Sequence, residues 1–61
     1  METVEEFQIR RIKWAIKQLS DYGEEVISWK VVRIAGLRED CSETVKAALE
    51  YELLQQYKKE T

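Results

Sequence analysis

Apolar side chains recur at three- and four-residue intervals along two long stretches of the chain, and a shorter amphipathic stretch lies between them. In the first, Ile9, Ile12, Ile16 and Leu19 fall on one face, with Val4, Ala15 and Tyr22 widening the stripe. The spacing predicts a helix from about residue 4 to 22, opened by the capping signal Thr3-Val4-Glu5-Glu6 and closed by Gly23. Phe7 and Trp14, seven residues apart, lie roughly opposite that stripe, so this helix carries two apolar faces. In the last stretch Val45, Leu49, Leu53 and Tyr57 repeat every four residues and Ala48 broadens the inner face. A helix over about 42 to 59 follows, with Ala47, Tyr51 and Leu54 on another flank.

The middle stretch organises the rest. Val31, Val32, Ile34, Ala35 and Leu37 form its apolar side, while Trp29, Lys30 and Arg33 face away, which predicts a short helix over about 29 to 35 capped by Ser28. Val26 and Ile27 are expected to tuck into the core just before it. Trp29 and Arg33, four apart, are placed to stack. Gly36 suits the positive φ that closes a helix, and Leu37 after it supplies the usual apolar contact. Beyond the break, either Asp40 or Ser42 can cap the last helix, and Asp40 with Glu43 matches a capping box. Helix, tight break and second helix make a helix-turn-helix pattern. Its corner, Gly36 to Cys41, is longer than the three to four residues of the tightest examples.

Size and composition agree. The chain has 61 residues, no proline and two glycines, which points to one small all-α domain: a three-helix bundle with a homeodomain-like helix-turn-helix and no wing. Histidine is absent and Cys41 is the single cysteine. The commonest general base is therefore missing, no internal disulfide can form, and neither a catalytic motif nor a metal-ligand set is visible. The chain is accordingly expected to be neither an enzyme nor dependent on a cofactor. No apolar run approaches the ~18 residues needed to span a bilayer, so a cytoplasmic protein with no membrane contact is the expectation.

The net charge is −2, yet its distribution is uneven. Carboxylates gather at Glu2, Glu5 and Glu6, around Asp21, Glu24 and Glu25, and late in the chain. Cations occupy the first helix (Arg10, Arg11, Lys13, Lys17) and the helix-turn-helix. In a helix-turn-helix the second helix of the unit enters the major groove, with its N-terminal residues at the base edges. Here that helix offers Ser42, Glu43, Thr44, Lys46 and Ala47: short polar groups for bases or phosphates, one cation, and a methyl able to meet thymine. Arg38 lies just ahead of them, and Lys30 and Arg33 sit where the preceding helix would cross the sugar-phosphate chain.

The run Arg11 to Leu19, an acidic turn, the run Val26 to Arg38, and then Thr44-Val45 resemble the tri-helical modules of transposon- and phage-encoded DNA-binding proteins, including target-selection proteins of transposition systems. The shared pattern is a long first helix, a capped second helix, an Ala-Gly-apolar corner and a polar-Thr-apolar start to the reading helix. The resemblance implies a double-stranded DNA partner, met by a transcriptional regulator or transposition-associated module, alone or within a larger protein. A different expectation comes from the apolar residues left after one core is filled, Phe7, Trp14, Trp29, Tyr51 and Leu54. These would suit a helical protein-protein interaction module, a homodimer or an adaptor, without DNA binding.

Overall fold

The computed structural model describes residues 1–38 and 40–60, the last two as backbone only. The protein is a three-helix bundle: α1 (Val4–Asp21), α2 (Ser28–Ala35) and α3 (Glu43–Glu60), with no strand among the described residues. Its extents are 33 × 23 × 18 Å. Among the described residues, no helix is long and apolar enough to cross a membrane.

The largest fully buried side chains at the centre come one from each helix: Ile12 from α1, Val31 from α2 and Val45 from α3. Burying each of these stabilises the fold by about 1.5–3 kcal/mol. Ala15, Ile16, Leu19, Ala35 and Leu49 complete the buried core, and Ile9, Val26, Val32, Ile34, Leu37, Cys41 and Leu53 pack around it half-buried. Both α2 and α3 lie mainly on α1 and touch each other little. The first turns of α1 and α3 adjoin, through Ser42 and Glu5, and Lys13 meets Glu52 further along, so these two helices run in the same sense. The start of α2 lies beside Leu53 and Gln56, whereas its last carbonyls reach back to Arg11, so α2 runs the opposite way.

Local signals set the helix ends. At α1 the Thr3 hydroxyl accepts the N–H of Glu6 at 3.1 Å and donates to the Glu6 carboxylate at 3.2 Å. At its far end Gly23 takes φ +69°, its N–H bonds Ser20 and the N–H of Glu24 bonds Leu19 at 2.9 Å, a paired closure of the last free carbonyls. Gly36 repeats the device at φ +72°: its N–H bonds Arg33 and the Leu37 N–H bonds Val32 at 3.1 Å. The capping of the other two helices is more particular than the pattern implied. Ser28 is the first residue of α2 rather than its cap, and the capping position falls to Ile27, which has no side-chain oxygen to offer. Ser42 caps α3, its hydroxyl accepting the N–H of Val45 at 3.3 Å.

Several residues expected on the inner stripes are exposed: Val4 on α1, Tyr22 at its C-cap and Tyr57 on α3. With eight residues α2 is about 12 Å long, against about 27 Å for α1 and α3; its end reaches Arg11 and leaves Val4 uncovered, while its start lies beside Tyr57 without burying it.

Candidate nucleic-acid interface

Opposite its buried residues, the first two turns of α3 are open to solvent: Glu43, Thr44, Lys46 and Ala47 are all exposed, while Val45 between them anchors the helix in the core. The i, i+4 spacing of Val45 and Leu49 turns one face inward and leaves the other free. Thr44 makes no side-chain bond among the described residues, and Lys46 pairs with Glu43 at 3.5 Å, with a Glu43 side chain that is 92% exposed. A contact this open is worth little and yields readily to a stronger anion.

Ser42 is differently placed. Its oxygen caps α3, and its hydrogen is given to the Glu5 carboxylate at 2.6 Å. Both capacities of the hydroxyl are therefore used within the protein. The sequence separates the N-terminal carboxylates from α3 by more than thirty residues, but the shared direction of α1 and α3 brings Glu5 to the opening turn of α3. There the carboxylate faces the N-terminal end of α3's dipole, where negative charge is favoured.

Of the cations, Arg33 on the last turn of α2 and Arg38 two residues beyond Gly36 are exposed, and their guanidinium groups make no hydrogen bond or ion pair among the described residues. They flank the corner that leads into α3. Lys30 is engaged instead: it pairs with Glu24 at 3.3 Å and lies 5.8 Å from the centre of the Trp29 ring. Trp29 thus meets Lys30, its sequence neighbour, and not Arg33.

No family model matches the chain, and neither does any curated protein or solved structure.

Arg11, which the sequence shows only as one of four cations on the first helix, ties α1 to the end of α2. Its guanidinium stacks 4.7 Å from the Trp14 ring and donates from Nε to the Ala35 carbonyl at 3.4 Å and from Nη2 to the Ile34 carbonyl at 3.5 Å. These are long hydrogen bonds, so much of the interaction is a cation set against the negative end of α2. The i, i+3 spacing of Arg11 and Trp14 was a visible signal for the stacking. The partner carbonyls, more than twenty residues away, were not.

Proposed function

We propose that this chain is a DNA-binding domain, with α3 as the element that enters the major groove. The observation that carries the reading is the exposed opening turn of α3, with two guanidinium groups, Arg33 and Arg38, unpaired among the described residues at the corner leading into it. Guanidinium groups bind phosphate oxygens in a bidentate fashion and are only weakly hydrated. Arg33 and Arg38 supply backbone contacts, while Thr44, Lys46, Ala47 and the open carboxylate of Glu43 face base edges; a carboxylate there accepts from the cytosine amino group. Ser42 contributes by fixing the helix start. The resemblance to tri-helical modules of transposon and phage proteins supports a regulatory or transposition-associated role, and no chemistry of its own is assigned to the chain.

Fluorescence anisotropy with labelled duplex DNA tests the proposal. The logarithm of affinity should fall with the logarithm of salt concentration at about −0.9 per phosphate neutralised. Absence of binding at low salt overturns the reading.

A second reading rests on the aromatic and aliphatic side chains that the bundle leaves exposed on every helix, namely Phe7, Trp14, Trp29, Tyr51 and Leu54. They support an interaction with another helical surface, and two of them, Trp29 and Tyr51, share a helix face with Arg33 and Ala47 respectively.

A further inference from the structure

Because α2 is short, the flank of α3 beyond it is bare. Val26 and Ile27 of the loop, with Leu53, Leu54 and Tyr57 of α3, line three adjoining hollows that share Tyr57. Leu54 is 54% and Tyr57 70% exposed. A carboxylate stands at each end of this groove, Glu25 on the loop and Glu50 on α3, and neither has a hydrogen bond or ion pair among the described residues. Glu24, beside Glu25, is already paired with Lys30. The groove thus asks for an apolar helix face with cations along it.

The same chain displays such a face. On the outside of α1, Phe7 and Trp14 are 47% and 44% exposed, about 10 Å apart along the axis. Arg10 lies 5.6 Å from the Phe7 ring centre, Arg11 holds Trp14 as described, and Lys17, a turn further on, is exposed and unpaired among the described residues. Arg10 reaches Glu2 at 3.0 Å, a pair in which both side chains are exposed and exchange is easy. Asp21 is the one carboxylate in the second half of α1, at its C-terminal end. Both aromatic rings are already held in place, so ordering them on binding costs little entropy.

We propose that a second copy of this chain occupies the groove, laying the Phe7–Trp14 face of its α1 over Leu54 and Tyr57 with Arg10 and Lys17 against Glu50 and Glu25. The two surfaces are different, so the contact is head to tail and, having no closing symmetry in itself, propagates as concentration rises. This association is independent of DNA binding, and either can fail without the other.

Sedimentation velocity of the whole chain tests it, with two single variants at exposed positions. F7E sets a carboxylate against the acidic groove, and L54E places a charge where apolar surface must be covered. Each alone should be monomeric, with association weakened about tenfold or more, as when a central interface anchor is removed. Mixed, each variant contributes its intact half, and the two altered faces repel, so the mixture should form a one-to-one dimer and stop. The wild type should grow in mass with concentration and dissociate as salt is added. E25K/E50K, which alters charge alone, should weaken wild-type association as salt does, and helical circular dichroism reports folding in every case. A wild type monomeric to roughly millimolar concentration overturns the proposal, as does one that stops at a dimer indifferent to L54E. Binding of a synthetic leucine-lysine amphipathic helix by a monomeric wild type, abolished in L54E, assigns the groove to a foreign helix and also overturns it.

Discussion

Ser42 donates its hydroxyl hydrogen to Glu5 at 2.6 Å across thirty-seven positions of sequence, joining the first turn of α3 to the first turn of α1. The length is that of a charge-assisted bond. The same oxygen caps α3 through Val45, so one side chain both starts the helix and fixes where it starts. Replacing it tests both roles. Ser42→Ala should cost about 1 kcal/mol or somewhat more. In a domain of this size that lowers the melting temperature by roughly 4–8 °C per kcal/mol. A double-mutant cycle with Glu5→Ala should give a non-zero coupling energy, because the two groups share one hydrogen bond. Strict additivity would show that the bond contributes nothing.

Gly36 presents a simpler case. Its φ of +72° lies in the left-handed region, yet a Cβ built there meets nothing within 4 Å. Gly36→Ala should therefore destabilise by about 1–2 kcal/mol through local backbone strain, with no clash against other parts of the fold. Denaturant unfolding should show a lower midpoint at unchanged slope. An unaltered midpoint would mean that the corner does not need this conformation.

Arg11 ties α1 to the end of α2 through a stacked, forked cation, and lysine cannot reproduce either the stacking plane or the two donors. Arg11→Lys should cost about 0.5–1 kcal/mol, chiefly the stacking at a partly exposed site, and should alter the near-ultraviolet circular dichroism of Trp14 with little change in helix content. If arginine and lysine prove equivalent, the interaction is only one of charge.

For DNA, the structure separates cations that the sequence groups together. Arg33→Ala and Arg38→Ala should each reduce the salt slope by about one unit for every phosphate left without its cation. Lys30→Ala should change it less, since Lys30 is already held by Glu24 and Trp29. Thr44→Ala and Ala47→Gly should alter preference among duplex sequences while leaving the slope unchanged, because base edges and not phosphates are their targets. Slopes unchanged from the wild type in both arginine variants would remove the corner from the interface.

How much of this was legible in the chain depends on the range of the interaction. The Thr3 cap, the closures at Gly23 and Gly36 and the inward faces at Ile12, Val31 and Val45 are produced by residues within about a turn of one another, and periodicity reveals them. Ser28 misled because a serine ahead of an amphipathic run is usually the cap; here the turn begins a residue earlier, with Ile27 extended at φ −124° and ψ 157°. Tyr22 and Tyr57 misled because a stripe records which face of a helix is apolar, not whether a neighbour covers it: Tyr22 falls just past the end of α1, and Tyr57 stays 70% exposed although Ile27 and Ser28 lie beside it. For the candidate site, sequence named the exposed residues of α3 and the guanidinium groups at the corner. It carried no sign that Ser42 would be committed to Glu5 or Lys30 to Glu24.

The sequence by itself determined three helices, their closures and one shared apolar core, since these follow from side-chain periodicity and local backbone chemistry. Tertiary structure alone decided the rest: that α1 and α3 run in the same sense, that a carboxylate from the first turn of one meets the cap of the other, and that a short α2 leaves a flank of α3 bare. The physical reason is that helix direction and reach are set by how rods of unequal length cover one another. No repeat of apolar residues within a single rod encodes that.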